Sequence, residues 1–175
     1  MRKVIIVFSL IFLFAGLAMG QSGKPFSIYA GGGVSIPKGF ASELYKNGFN
    51  GMGAISYKAM PAMKWFAKVE LNSFKSDSAI YFDGTINNLL LGIGGILSPK
   101  ILDAPLKPFG IAGVGIASLS SSEGGESVSK LYFEFGAGAE LGSGSASFFI
   151  MARYVTIATE EKSFNFIPIT AGIKF

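Results

Sequence analysis

The sequence predicts an all-β fold, an eight-stranded antiparallel transmembrane up-and-down β-barrel. After residue 24, apolar residues alternate with small or polar residues in eight segments, which is typical of strands with two different faces. The charges within the two most charged segments share one face and leave the other apolar. Long polar connections also alternate with mostly shorter ones along the chain, as in transmembrane barrels.

The first 20 residues, MRKVIIVFSLIFLFAGLAMG, have the anatomy of a secretory signal peptide cut after Gly20. Arg2 and Lys3 precede an apolar run that is shorter than the ~20 residues a spanning helix needs, which disfavours a retained anchor. We therefore expect a signal peptide at 1–20 and one barrel domain at 21–175. With no cysteine in the sequence, the exported chain has neither a disulfide nor a lipid-modified cysteine.

The strands are predicted at residues 25–37, 49–59, 63–72, 86–97, 108–119, 130–142, 145–156 and 165–175. The third is the clearest, because Trp65, Val69 and other apolar residues alternate with Lys64, Lys68 and Glu70. The fifth is apolar on both faces, so its facing stays open. A charge that faces lipid near the midplane costs about 2 to 4 kcal/mol, so we expect the charged faces to line the lumen.

Four of these segments are distinctive: the first strand YAGGGVSIP, the second strand GFNGMGAISY, the fifth strand KPFGIAGVGIA and the final ITAGIKF. They resemble the small eight-stranded outer-membrane β-barrels of the OmpA and OmpX kind and the related outer membrane protein β-barrel domains. This resemblance implies residence in the outer membrane of a Gram-negative-type bacterium, with outer-membrane lipid and the insertion machinery as partners. It also implies an assembly signal formed by alternate residues of the last strand, namely Ile169, Ala171, Ile173 and Phe175.

The glycines of KLYFEFGAGAELG at 130–142 invite comparison with a phosphate-binding loop. Such a loop lies between a strand and a helix, whereas Ser143–Ser147 and another strand follow here. Similar glycine pairs recur in AGGGV, GIGGI and GVGIA. We therefore expect the inward glycines to make room for large side chains from other strands of a narrow barrel.

Composition excludes several kinds of chemistry. The sequence has no histidine and no cysteine, which removes Ser-His-Asp hydrolysis, thiolate nucleophiles and the usual zinc sites. Glu134 and Glu140 are six residues apart on one strand, about 20 Å at ~3.3 Å per residue, too far for a glycosidase pair. Without Arg2 and Lys3 the chain has 13 basic and 11 acidic residues and no basic stripe, so nucleic-acid binding is not expected.

We therefore expect a monomeric, non-enzymatic barrel with no cofactor or metal site and a structural or surface-interaction role. Its narrow lumen should be filled by an ion cluster that opposes through-flow, made of Lys68, Glu70, Glu134, Arg153 and Lys174. Two alternatives stay open. One is a small or gated channel, and the other is a secreted soluble barrel that turns its apolar faces inward around a ligand.

One register follows from the short GSGS link at 142–145. A turn at Ser143 and Gly144 would set Glu134 directly opposite Arg153 as an ion pair. A turn one residue later would shift the register by two and make these residues diagonal neighbours, about 7 to 8 Å apart by backbone and still within side-chain reach. Both registers keep the two charges inside the barrel.

Overall fold

The computed structural model describes residues 25–77, 84–99, 106–121, 127–142, 146–159 and 162–175, so the proposed signal peptide lies outside the described part. Eight long strands form a single antiparallel sheet. They are β1 (Phe26–Lys38), β2 (Gly48–Met60), β3 (Met63–Lys75), β4 (Thr85–Leu97), β5 (Leu106–Ser121), β6 (Val128–Leu141), β7 (Ser147–Ile157) and β8 (Phe164–Lys174). Each strand pairs with the next along the chain, and β1 pairs with β8 to close the barrel. The predicted up-and-down barrel is confirmed.

The predicted facing of the strands is also confirmed. Along β3, Phe66, Lys68 and Glu70 are buried in the lumen, whereas Trp65 and Leu71 point outward and are exposed. Burial alternates in the same way around the wall. In β5, whose facing the sequence left open, buried Phe109, Ile111 and Ala117 line the lumen and exposed Val114 and Ile116 point outward.

The two ends of the barrel differ in their connections. We call the end that carries the β1–β2, β3–β4, β5–β6 and β7–β8 links the loop end. The opposite end, where β1 begins and β8 ends, is called the turn end. A short helix, α1 (Phe40–Leu44), lies in the first loop, where the sequence predicted only a polar connection. It buries Ala41 against an apolar cluster at the loop end that includes Phe74, Phe164 and Phe166. Among the described residues, no helix is long and apolar enough to cross a membrane.

The favoured register between β6 and β7 is wrong, and the alternative is the one observed. Gly136 lies opposite Arg153 and Phe135 lies opposite Tyr154, two residues away from the expected pairing of Glu134 with Arg153. A shift of two residues leaves every side chain on its original face, so strand alternation cannot distinguish the two registers. The observed register places a glycine beside the bulky arginine and brings the Phe135 and Tyr154 rings to 5.7 Å.

Candidate functional site

The centre of the lumen holds four charged side chains in one compact group, which we call the central ion cluster: Lys68 and Glu70 from β3, Glu134 from β6 and Arg153 from β7. Lys68 Nζ lies 2.7 Å from Glu70 Oε2 and 2.6 Å from Glu134 Oε2. Arg153 Nη1 lies 2.7 Å and 2.8 Å from the same two oxygens. Each cation therefore bridges both carboxylates, and the formal charge of the group is zero.

These charges are almost completely removed from solvent. The side chains of Lys68, Glu70, Glu134 and Arg153 are at most 1% exposed. Several kcal/mol of desolvation per ion can be offset only by good geometry and further hydrogen bonds. The arrangement of two cations and two carboxylates supplies that geometry, because each side chain contacts two groups of the opposite charge.

Polar side chains extend the central ion cluster into a closed hydrogen-bond circuit. Arg153 Nη2 donates to Thr170 Oγ1 at 3.4 Å, and Asn72 Nδ2 donates to Glu70 Oε1 at 3.2 Å. Between Thr170 and Asn72, the chain continues through Asn50 and Ser35. Thr170 Oγ1 donates to Asn50 Oδ1, Asn50 Nδ2 donates to Ser35 Oγ, and Ser35 Oγ donates to Asn72 Oδ1. All bonds run in one direction from Arg153 to Glu70, the arrangement in which neighbouring hydrogen bonds strengthen one another.

The circuit was not predicted as part of the site. Its four uncharged members, Ser35, Asn50, Asn72 and Thr170, lie on inward faces that alternation identifies, but they come from four different strands. Their meeting depends on the relative heights of β1, β2, β3 and β8, which only the registers define. An inward Asn, Ser or Thr on each of these strands was the available signal.

Lys174 does not join the central ion cluster. Its Nζ lies 2.6 Å from Glu140 Oε2 near the turn end, where Lys64 Nζ lies 3.1 Å from Glu140 Oε1. Tyr29 Oη donates to the same carboxylate at 2.8 Å. Lys174 lies at the turn end of β8 and Arg153 near the middle of β7, which explains the separation. The lumen therefore has two ionic layers where the sequence indicated one.

Apolar side chains fill the lumen on both sides of the central ion cluster. Towards the loop end, a cluster around Phe74, Phe164 and Phe166 includes Ala41 of α1. Towards the turn end, Phe66, Phe109, Ile111 and Met151 belong to a second cluster. The lumen was predicted to be filled by charged groups, with inward glycines making room for large side chains, so these apolar layers are an addition. Their residues lie on inward faces that are less polar than the alternation rule for transmembrane barrels suggests.

The inward glycines make room for the large side chains, as predicted. A Cβ at Gly113 would lie 3.1 Å from Glu134 Oε1, and one at Gly136 would lie 2.9 Å from Arg153 Cγ. At Gly92, a Cβ would collide with the Tyr132 hydroxyl. In GAGAELG, Gly136 and Gly138 therefore leave space for Arg153 and Phe109 in the lumen.

Gly136→Val is expected to lower the free energy of unfolding by about 1 to 3 kcal/mol, the usual cost of overpacking. A Cβ at this position would meet the backbone of Ala152 and lie 2.7 Å from Arg153 Cα, neither of which can rotate away. Gly51→Val is the matched control, because a Cβ at Gly51 meets nothing within 4 Å. Urea unfolding of both variants in phosphatidylcholine vesicles measures the difference. Equal stability of the two variants would contradict the packing role.

The expected assembly residues lie along the outward face of β8. Ala171 and Ile173 are exposed, and Ile169 is half-buried. Phe175 follows the last strand residue and is tied to β1 by two backbone hydrogen bonds with Ile28, at 2.8 and 3.0 Å. The final residues are thus part of the seam that closes the barrel.

The described residues contain no group of three or more His, Cys, Asp or Glu side chains arranged to hold a metal ion. Glu134 and Glu140 lie in different ionic layers, and each is hydrogen-bonded to lysine. The arrangement neutralises charge inside a packed wall.

The architecture is shared with solved outer-membrane barrels. Neisserial surface protein A superposes with a TM-score of 0.67 at 15% identity, over 88% of this chain and 98% of that chain. OprG from Pseudomonas aeruginosa superposes with a TM-score of 0.59 at 11% identity, over 87% and 96%. Ail from Yersinia pestis superposes with a TM-score of 0.52 at 20% identity, over 87% and 99%.

The chain has the fold of the small outer-membrane barrels. The resemblance inferred from the sequence is thereby confirmed at the level of the fold. No protein-family model matches the chain, and no curated protein sequence matches it significantly.

Proposed function

We propose that this protein is an integral outer-membrane barrel, a monomer with a non-enzymatic structural or surface-interaction role and a lumen closed to through-flow. The observation that carries the proposal is the outward surface of the eight strands. Its only charged strand residues are Lys38 and Lys75, both at the loop end, while large apolar side chains such as Leu91, Ile93 and Phe135 are more than half exposed. A continuous apolar surface of this kind is stable in lipid and prone to aggregate in water.

The height of the apolar surface suits a bilayer. In β3 the outward residues from Met63 to Ser73 are uncharged. At ~3.3 Å per residue this stretch is about 33 Å long, and a strand tilt of ~40° reduces it to about 25 Å along the barrel axis. That is the usual height of the lipid-facing band in outer-membrane barrels. Near the turn end, Phe26, Tyr57 and Trp65 lie side by side on β1, β2 and β3, where an interfacial aromatic belt is expected.

Closure of the lumen follows from its layers. An ion that enters from either end meets an apolar cluster before it reaches the neutral central ion cluster. A closed lumen favours the structural role over the alternative of a small channel. The soluble ligand-binding alternative requires the alternating apolar faces to point inward, whereas they point outward here.

The loop end supplies a surface on which a partner could dock. Lys46 Nζ lies 3.1 Å from Asp77 Oδ1, and Tyr45 forms a β-bridge with Ser76. The β1–β2 and β3–β4 loops are therefore joined. Ail, which shares this fold, is the attachment invasion locus protein of Yersinia pestis. A surface-interaction role at the loop end is the corresponding proposal for this chain.

Cell fractionation tests the location, and planar-bilayer recording tests the closure. We expect the processed protein in the detergent-extracted outer-membrane fraction, with a gel shift between boiled and unboiled samples. Recovery in the soluble fraction without a gel shift would overturn the membrane assignment.

In the planar-bilayer recording, a stable conductance in most insertions would overturn the closed lumen and make the channel the better proposal.

We further propose that Ile169, Ala171, Ile173 and Phe175 form the signal that the insertion machinery recognises. Deleting Phe175 should reduce the inserted amount severalfold at low expression and leave processed protein in the periplasm. The matched control is Phe26→Ala, which removes an exposed aromatic at the turn end of β1 without changing the last strand. Immunoblots of separated membranes measure both. Unchanged insertion after deletion, or the same loss in the control, would argue against the signal.

A further inference from the structure

The inward face of the wall at the turn end is strongly basic. Four lysines from four strands lie there on the inward face together with one carboxylate, and we call this group the basic mouth: Lys58, Lys64, Lys107, Lys174 and Glu140. Four positive charges and one negative charge give a net charge of +3 among these residues. This excess contrasts with the neutral central ion cluster deeper in the lumen.

The internal carboxylate satisfies only part of this charge. Glu140 is bonded to Lys64 and Lys174 and accepts a third bond from Tyr29. Lys58 lies directly opposite Lys64 in the β2–β3 ladder, and like charges placed so are destabilising. Lys107 lies directly opposite Glu140 in the β5–β6 ladder, and Lys58 and Lys107 are both exposed.

We propose that the basic mouth is a binding site for a multivalent oxyanion bearing carboxylate or phosphate groups. The exposed ammonium groups of Lys58 and Lys107 bind the anion, while Lys64 and Lys174, which are paired with Glu140, make the local electrostatic potential more positive. Strand alternation places all four lysines on the inward face of the wall, opposite to the residues that face lipid. The apolar cluster containing Phe66, Ile111 and Phe149 fills the lumen between the mouth and the central ion cluster, so the anion is held and not conducted.

This inference rests on the proposed function only for the compartment that the mouth faces, the periplasm. Two sources of the same chemistry exist there. One is a free small anion such as pyrophosphate or citrate, and the other is the carboxylate-bearing peptide of the cell wall. In both cases, the ligand separates the opposed Lys58 and Lys64 charges and completes the coordination that Glu140 begins.

Isothermal titration of pyrophosphate and citrate into the full-length mature barrel, in a zwitterionic detergent, tests the site. We expect saturable binding that weakens about tenfold in the Lys58→Gln/Lys107→Gln variant. The matched control, Lys38→Gln/Lys75→Gln, removes the same charge at the loop end and should change affinity by less than about twofold. All four lysines are exposed and outside the ion pairs described above, so both variants should fold.

Co-sedimentation with purified cell-wall sacculi distinguishes the sources. Sedimentation that the Lys58→Gln/Lys107→Gln variant loses and the control keeps supports the site and assigns it to the polymer. Titration of small anions without sedimentation supports the site and assigns it to a free anion. Absence of saturable binding in both assays, or equal weakening in the two variants, overturns the proposal. Because the titration is made in detergent, its result is independent of where fractionation places the protein in the cell.

Discussion

Arg153→Met is expected to lower the free energy of unfolding by about 3 to 5 kcal/mol, the usual cost of leaving a buried charge without its partner. Arg153 Nη1 lies within 2.8 Å of both Glu70 Oε2 and Glu134 Oε2. Without it, the two buried carboxylates share only Lys68, and the central ion cluster acquires a net negative charge. Arg153 is also the donor at the start of the polar circuit, so Thr170 loses one bond. Urea unfolding in phosphatidylcholine vesicles measures the change.

The double variant Glu134→Gln/Arg153→Met separates charge balance from packing. It restores a neutral group of Lys68 and Glu70, so we expect it to be more stable than Arg153→Met alone. Lys75→Gln removes an exposed charge at the loop end and should change stability by less than about 0.5 kcal/mol. If Arg153→Met does not fold, Arg153→Lys keeps the charge and provides an intermediate point. A double variant no more stable than the single one would contradict the charge-balance account.

Leu91→Arg is expected to lower the free energy of unfolding by about 2 to 4 kcal/mol, the cost of a cation on the lipid face near the midplane. Leu91 is 53% exposed and lies between outward-facing Val69 and Ile116 on the neighbouring strands. The matched control is Leu97→Arg on the same strand, at its turn end, where the cost should be about 0 to 1 kcal/mol.

The dependence on depth makes this comparison diagnostic. If the barrel were a soluble protein, arginine would be tolerated at both Leu91 and Leu97, because water would solvate the charge equally well at the two positions. Equal and small effects at Leu91 and Leu97, measured in lipid vesicles, would therefore argue against a lipid-facing wall. A large effect at Leu91 alone is the result that the outward apolar surface predicts.

The sequence contains enough information to predict the wall but not the arrangement inside it. Alternation in β3 places Lys68 and Glu70 in the lumen because a strand has a period of two. The same period makes a two-residue shift invisible, which is why the register beside Arg153 was misassigned. Lys174 was grouped with Lys68, Glu70, Glu134 and Arg153 for a related reason, since its height in the lumen depends on the pairing of β8 with β7. Contacts across the lumen combine several registers, and the circuit through Asn50 and Thr170 is of this kind.

The single tryptophan allows the central claim to be tested directly. Trp65 is the only tryptophan in the chain, and its side chain is 54% exposed on the outward face near the turn end of β3. The protein is folded into vesicles whose acyl chains carry bromine either near the headgroup or near the chain terminus. Our account predicts blue-shifted emission and strong quenching, greater for bromine near the headgroup. Emission typical of indole in water, unquenched by either lipid while the barrel is folded, would contradict a transmembrane barrel.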